Sequence, residues 1–380
     1  MMPRHSPERR RHGSLSSPAA TSKPAPAATG ACAPLPEELI FDVLSRVPVK
    51  SACRFRCASR GWHALISDQA FLAAHRSRHA EPLLVTITSS SSEHAGGGRD
   101  LRLMDMDGNV VTVTKGAGGH TLLSTSTDEL VGVAEVSSSR VIDPATGKVL
   151  AYSSPMQMFG FYIMFGFGRA IPSGEYKMVR LVNNQTFEVF TLGDNAGWRR
   201  SKLPPIRINN GSSRVTANGV MYFIVSRKLD DDGLLRFDLE SEEWKPAIKG
   251  PPITSSPEAW WNGTQSVRIA ELNGFLCVIQ SETQATSNHN CTNVWLRADD
   301  SWIKAYSIPA APSSYYYMPL RVTHDGGKLI FYCFFHGQGH LLRAYDPATN
   351  TCTTIRRLDD TTEKVGLCSL HLDRFVLNKI

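Results

Sequence analysis

The chain has 380 residues and a formal net charge of +6 at pH 7, with 42% hydrophobic and 20% charged residues, a composition typical of a soluble globular protein. The length suits a small module followed by a domain of roughly 300 residues. Residues 1–34 hold five Lys or Arg against one Glu, or +4, which leaves +2 for the rest of the chain. A basic nucleic-acid-binding face is therefore not supported, because such domains concentrate Lys and Arg on their folded part.

Residues 1–34 are rich in Pro, Ala, Ser and Arg and nearly free of large apolar residues. Burial cannot offset the entropy of ordering such a segment, so we expect a disordered basic tail. The run Arg9-Arg10-Arg11 fits nuclear import, but a short basic run is a weak signal and favours a solvated tail. The composition also loosely resembles an organelle transit peptide.

The remaining targeting signals indicate a cytosolic or nuclear protein. No secretory apolar stretch precedes the fold, and no run of about 18 apolar residues occurs. The eight cysteines form no CxxC pair, as expected for reduced thiols in a cytosolic compartment. We expect a cytoplasmic or nuclear location and no membrane association.

Residues 35–79 have the apolar spacing of short amphipathic helices. One stripe recurs with the 3.6-residue period of a helix of about three turns; it comprises Pro36, Leu39, Ile40, Val43, Leu44 and Val47. Pro48 ends this helix, because the residue before a proline is displaced from the helical region. Two further helical runs follow, and Ser67-Asp68 predicts the cap of a fourth helix.

Such a small helical unit buries little apolar surface, and units of this size usually depend on a partner, a metal or a disulfide. Phe41 lies off the stripe and adds apolar surface on a second side. The alternative interpretation is a helical cap packed on the rest of the same chain. The pattern favours a module that binds another protein.

The stretch resembles the F-box, the adaptor-binding motif of SCF-type ubiquitin ligases, in the form common in plant families. The matching segments cover the motif without a gap: residues 35–40, 44–50, 54–60 and 62–68. The resemblance implies binding to a Skp-type adaptor and, through it, to a cullin. The predicted adaptor-binding residues are Leu35, Pro36, Leu39, Ile40, Leu44, Val47, Pro48, Val49 and Trp62.

From residue 82 onward the pattern alternates with the period of β-strands. Short runs rich in Val, Ile, Phe and Tyr are bounded by Gly, Pro, Asn or Asp. The predicted strands span residues 83–88, 110–114, 176–182, 186–192, 220–225, 274–279, 328–335 and 341–345. No helical pattern of ordinary length interrupts them.

A strand followed by an acidic turn and a second strand recurs in this region. Clear copies begin at Asp143, Asp238 and Asp346, and looser copies span 187–198 and 294–302. Aspartate in such a turn accepts hydrogen bonds from the following backbone N–H groups. The spacing of roughly 45 to 60 residues fits one four-stranded propeller blade per repeat.

These repeats resemble the F-box-associated domain of plant F-box proteins and, more loosely, kelch propellers. The matching segments, among them 143–147, 165–168, 218–223 and 271–276, span roughly residues 130 to 350. The expected fold is therefore α+β multidomain. It comprises a tail over 1–34, an all-α F-box of three to four helices over 35–79, and an all-β propeller-type domain of about six blades over 80–380.

The sequence contains few candidates for catalytic or metal chemistry. Cys333, His336 and His340 resemble metal ligands, but they flank a glycine turn between strands, where Cys333 and His336 point to opposite faces. Gly96-Gly97-Gly98-Arg99 lacks the Lys-Ser/Thr of a phosphate-binding loop. No nucleophile elbow or HExxH motif occurs. We expect no catalytic residue, cofactor or metal.

Aromatic residues are the remaining candidates for target binding. Most tryptophans are assigned to packing within the blades. Consecutive tyrosines are seldom all buried, so Tyr315, Tyr316 and Tyr317 are the predicted surface site. Its target is not identified by the sequence.

The resemblance implies a non-catalytic substrate receptor of a ubiquitin ligase. Two alternatives stay open at this stage. An F-box protein can act as an adaptor-bound scaffold or regulator outside a ligase. The β-domain could instead be a propeller enzyme or small-ligand sensor behind a degenerate F-box.

Overall fold

The computed structural model describes residues 35–369. The described range excludes residues 48, 79–81, 90–97, 125–128, 154–161, 209–212, 226–228, 230–232, 253–264, 283–290, 310–313, 324–326 and 336. The expected tail over 1–34 and the short junction before Pro82 lie outside the described residues.

Four short helices form the N-terminal module: α1 Glu37–Leu44, α2 Val49–Arg56, α3 Arg60–Ser67 and α4 Gln69–Arg78. The Asp68 carboxylate accepts from the N–H of Ala70 at 2.8 Å, which confirms the predicted cap. The first helix is shorter than predicted, because Val47 N–H bonds to Leu44 O in a tight final turn instead of continuing the helix.

The rest of the described chain is built from 24 strands, and each of six sheets holds four of them in an antiparallel arrangement. The strands are β1 Leu83–Ser89, β2 Arg99–Met104, β3 Val110–Thr114, β4 Thr121–Leu122, β5 Val131–Ala134, β6 Ser139–Ile142, β7 Val149–Ser153, β8 Ile163–Arg169, β9 Tyr176–Val182, β10 Thr186–Thr191, β11 Arg199–Ser201, β12 Arg214–Ala217, β13 Val220–Ile224, β14 Leu234–Asp238, β15 Glu243–Ile248, β16 Gln265–Leu272, β17 Phe275–Glu282, β18 Cys291–Ala298, β19 Ser301–Pro309, β20 Ser314–Val322, β21 Leu329–Phe335, β22 Gly339–Asp346, β23 Thr351–Arg357 and β24 Thr362–Cys368.

The six sheets are the blades of a β-propeller, as predicted. Blade 1 combines β24 with β1, β2 and β3, and blades 2 to 6 are the successive four-strand units from β4–β7 to β20–β23. The inner strands are β24, β4, β8, β12, β16 and β20, which follow one another around the centre. The last strand, β24, pairs with β1 and completes blade 1. This pairing joins the two ends of the propeller and closes the ring.

Apolar side chains fill the space between each pair of neighbouring blades. Between blades 3 and 4, for example, Phe187 and Phe237 meet edge to face with ring centroids 4.9 Å apart. Five comparable clusters join the other blade pairs around the ring. The core of the propeller is therefore a ring of interblade contacts.

The recurring acidic turn joins the third and fourth strands of a blade. The carboxylates of Asp143, Asp238 and Asp346 accept from N–H groups two residues further on, at 2.8–2.9 Å. The predicted turn chemistry is confirmed at all three positions. Asp105, at the corresponding place in blade 1, accepts from Asn109 N–H at 2.7 Å; this copy was missed in the sequence.

Strand direction divides the connections between two faces of the ring. The near face carries the turns between first and second and between third and fourth strands, and Leu83 begins β1 there. The far face carries the remaining connections. The five longest connections between described strands all lie on the far face, at 90–98, 154–162, 202–213, 225–233 and 249–264.

Candidate functional site

An exposed apolar row runs along one side of the helical module. Leu35, Leu39 and Val43 are spaced four residues apart and are 67%, 54% and 60% exposed. Leu39 and Val43 are one turn apart on α1 and so lie above one another along the helix, and Leu35 lies two residues before the helix begins. Pro36 is exposed beside them. These three residues, Leu35, Leu39 and Val43, are called the exposed row below.

The other predicted adaptor-binding residues point elsewhere. Leu44 is 3% exposed and packs in the module's own core with Ala52, Ile66, Phe71 and Leu72. Its assignment to a partner-binding surface is corrected, because its surface is already covered within the module. Ile40, Val47, Val49 and Trp62 are half-buried against the same core, and Pro48 lies outside the described residues.

Phe41 also belongs to this internal core and not to a second exposed side. Its ring meets Phe71 of α4 edge to face at 5.2 Å. An apolar residue off the main stripe therefore holds α1 against the module, while the exposed row faces away from that core. One side of the short helix is apolar because it packs in the module core, and the other side carries the exposed row.

Polar contacts fix α1 against α4. Asp42 pairs with Arg46, two residues beyond the end of its helix, at 3.1 Å and with Arg78 of α4 at 2.8 Å. The hydrogen bond from Arg46, with a smaller contribution from Arg78, holds the pKa of the Asp42 carboxyl below its usual value. The buried His75 donates from Nε2 to Val47 O at 2.9 Å. These contacts orient the exposed row on a defined scaffold.

The predicted tyrosine surface site is not supported at Tyr317. This side chain is 3% exposed and stacks on Phe331 with centroids 5.6 Å apart. Tyr317 lies in β20, an inner strand, where packing against the blade covers its side chain. The side chains of Tyr315 and Tyr316 lie outside the described residues, so the prediction for those two is untested.

A groove opens on the far face between blades 6 and 1. It has a volume of about 470 Å³ and is lined by Ser89, Tyr332, Phe334, His340 and the segment 360–365. The ring centroids of His340 and Phe334 are 4.7 Å apart, and Nδ1 of His340 is 2.6 Å from the Tyr332 hydroxyl. Burial lowers the pKa of His340, which Asp360 only partly opposes, so this aromatic wall is uncharged at neutral pH.

The candidate metal ligands do not assemble in the described structure. Cys333 is buried, and its thiol is directed at Leu341 O at 3.8 Å. Burial raises the pKa of that thiol to about 12, which disfavours the thiolate that a metal requires. His340 is committed to Tyr332, and His336 lies outside the described residues. Throughout the described ranges no three His, Cys, Asp or Glu side chains are grouped as metal ligands.

The far-face groove was missed by reasoning from sequence. Phe334 and His340 were seen only as residues flanking a turn, and the acidic segment that faces them begins at Asp360. These parts meet only when β24 closes the ring. The available signal was the aromatic pair Phe334-Phe335 at the end of a strand.

Comparison with known proteins matches both parts of the chain. The family model described as F-box domain matches residues 34–73, and the model described as F-box associated beta propeller domain matches residues 78–373. F-box protein CPR1 of Arabidopsis thaliana is 25% identical over 344 residues, covering 78% of this chain and 79% of that protein. The F-box/kelch-repeat protein At2g43445 of the same plant is 23% identical over 317 residues, covering 78% of this chain and 74% of that protein.

Among the helices of the described residues, none has the length and apolarity to cross a membrane.

Proposed function

Because the chain belongs to the F-box proteins that carry an F-box associated β-propeller domain, we propose that it is the substrate-recognition subunit of an SCF-type ubiquitin ligase. In this role the helical module binds a Skp-type adaptor, which connects it to a cullin, and the propeller binds a target protein. The observation that carries the proposal is the exposed row on a module that already has its own core.

The exposed row supplies the apolar area that an adaptor would cover. Fully burying a Leu or Val side chain stabilises a complex by about 1.5–3 kcal/mol relative to leaving it exposed. Leu35, Leu39 and Val43 are each more than half exposed, so most of that gain is still available for binding. Buried neighbours such as Leu44 support the row from beneath and contribute little contact area.

The far face is the proposed target-binding face of the propeller. Loops held by a rigid scaffold usually carry recognition, and the longest connections lie on this face. The groove between blades 6 and 1 offers a described starting point there, with an aromatic wall at Phe334 and His340. The strand that follows the F-box module in the chain, β1, begins on the opposite, near face.

We assign the chain a positioning role, with the ubiquitin-transfer chemistry supplied by other subunits of the ligase. Holding a target beside a ubiquitin-charged enzyme turns a bimolecular encounter into a local one, which raises its rate. The proposed location is the cytoplasm, the nucleus or both. These assignments rest on the family and on the exposed row together.

The test is co-expression of the full chain with a Skp-type adaptor, followed by affinity purification. The double substitution Leu35→Ala with Pro36→Ala is expected to abolish co-purification while the propeller stays folded by circular dichroism. Val136→Ala is the matched control, because Val136 is 71% exposed on the propeller. Adaptor retained by the double variant at the wild-type level would contradict the proposal.

A second measurement separates a ligase subunit from an adaptor-bound scaffold. Complexes of the wild-type chain are captured and probed for the cullin as well as the adaptor. A ligase subunit retains both, whereas a scaffold retains the adaptor alone. Capture of targets with the ligase held inactive, followed by mass spectrometry, then identifies what the propeller binds.

A further inference from the structure

The centre of the propeller contains a partly open cavity that the proposed role does not use. Its volume is about 210 Å³, and its lining comes from five of the six inner strands, β4, β12, β16, β20 and β24. A water molecule occupies about 30 Å³ in the liquid, so the space corresponds to roughly seven waters. A ligand that fits in this space is smaller than a peptide or a typical drug-sized ligand.

Arg214 enters this cavity without a carboxylate partner. Its Nε donates to the carbonyl oxygen of Phe165 in the neighbouring blade. Across the described residues, no Asp or Glu lies within ion-pair distance of its guanidinium. Burial lowers the pKa of Arg214. A desolvated cation normally has a compensating anion.

Lys364, an exposed residue that also borders the far-face groove, lines the same cavity from the other side. It belongs to β24, which is three positions from β12 in the ring of six inner strands, so the two strands face each other across the centre. Lys364 likewise forms no ion pair with the described residues. The cavity therefore receives positive charge from two opposite directions.

The single acidic side chain in the described lining does not neutralise this pair. Glu271 is the seventh of the eight residues of β16, at its near-face end, and its carboxylate accepts from the N–H of Gly274. Arg214 begins β12, and the preceding Ser213 bonds to Ile269 of β16, so Arg214 lies within about two residues of the level of Glu271. The described lining thus carries two cationic side chains against one carboxylate.

We propose that the central cavity binds a small oxyanion, a phosphate or carboxylate group, between Arg214 and Lys364. The terminal nitrogens of Arg214 present a planar fork that matches two oxygens of such a group. Lys364 supplies a second, point-like charge from the opposite strand.

The test measures anion binding by the full-length protein with two probes, inorganic phosphate and citrate. Thermal unfolding and titration calorimetry are run against sodium chloride at the same ionic strength. Wild-type protein is expected to gain thermal stability and to show saturable binding with at least one probe. A response to phosphate alone assigns a phosphate ligand, and a response to citrate alone assigns a carboxylate.

Two variants and one matched control locate the site. Arg214→Gln and Lys364→Gln are each expected to weaken the anion affinity at least tenfold, because each removes one of the opposed charges. Arg236→Gln is the control, since Arg236 is half-buried outside the cavity lining and its Nε donates to Pro246 O at 2.8 Å. It is expected to bind like wild type.

Because Lys364 donates no described side-chain hydrogen bond, Lys364→Gln remains informative even if Arg214→Gln fails to fold. The proposal is overturned if neither anion exceeds chloride, or if Arg236→Gln loses as much affinity as the two cavity variants. The adaptor takes no part in these measurements. Their outcome is therefore independent of the adaptor-binding test above.

Discussion

The indole N–H of Trp244 donates to the carbonyl oxygen of Lys202 at 2.8 Å. Trp244 lies on the outer strand of blade 4, and Lys202 directly follows the outer strand of blade 3. Trp302 repeats the contact one blade later, donating to Lys249 O at 2.9 Å. The same residue type thus ties the outer edges of consecutive blades.

Replacing Trp244 or Trp302 by Phe should lower the free energy of unfolding by about 1–2 kcal/mol, because each change deletes a hydrogen bond and leaves a carbonyl oxygen less satisfied. Urea unfolding measures the loss. Trp198→Phe is the control, since no acceptor for the Trp198 indole N–H is found among the described residues. An equal loss in all three variants would show that ring size, not the hydrogen bond, sets the effect.

The exposed row and the module core should respond differently to truncation. Leu39→Ala with Val43→Ala should weaken adaptor binding at least tenfold and leave the melting temperature unchanged, because both side chains are exposed. Leu44→Ala should instead destabilise the module by about 2–4 kcal/mol through the cavity it creates. Calorimetric titration and thermal unfolding of the same preparations separate the two effects, and a stable Leu44→Ala variant would contradict the assignment.

Gly168 allows blades 3 and 4 to approach each other closely. A Cβ at this position would lie 2.4 Å from Thr216 Cγ2 on the neighbouring inner strand, and Thr216 donates to Phe167 O at 2.8 Å. Gly168→Ala should therefore destabilise the propeller by about 1–3 kcal/mol through overpacking. Gly98→Ala is the control, because no atom lies within 4 Å of its added Cβ. Thermal unfolding that is unchanged in Gly168→Ala would contradict this packing argument.

Asp238 should make the propeller sensitive to acid. Burial opposes its charge, but N–H groups of Ser241 and Glu240 together with Lys245 outweigh that effect and lower the pKa of the carboxyl. A depressed folded pKa contributes stability above about pH 4, the unfolded value, and this stability is lost as the pH falls through the folded pKa.

Asp238→Asn should thus unfold more easily at pH 7 by about 1 kcal/mol, with the difference from wild type shrinking below about pH 4. Urea unfolding across that range measures it. Asp107→Asn is the control, since the described residues show no partner for the Asp107 carboxylate. A difference from wild type that stays constant with pH would show that the charge of Asp238 is not the cause.

Much of the fold could be predicted because its signals are local. The predicted strands at 110–114 and 176–182 coincide with β3 and β9, since alternation and turn residues define both ends. The acidic turn at Asp143, Asp238 and Asp346 indicated the blade repeat. The copy at Asp105 was missed, because it has neither the Pro that follows Asp143 and Asp346 nor the Trp that follows the turn at Asp238.

The sites could be predicted only in part, because they depend on which elements meet. Helical period grouped Leu39, Val43 and Leu44 on one stripe, but packing by α2 to α4 decides that Leu44 turns inward. Tyr317 looked exposed because consecutive tyrosines suggested a surface. Arg214 and Lys364 carry no shared pattern in the sequence and oppose each other only through closure of the ring.

Ring closure by β24 also sets an order of events during synthesis. A ribosome adds about 5–20 residues per second, so β24 follows the helical module by roughly 15–60 s. Through that interval a nascent chain displays the exposed row while blade 1 still lacks its inner strand. An adaptor can therefore engage the polypeptide before any complete target-binding face exists, and assembly of the complex would precede maturation of the receptor.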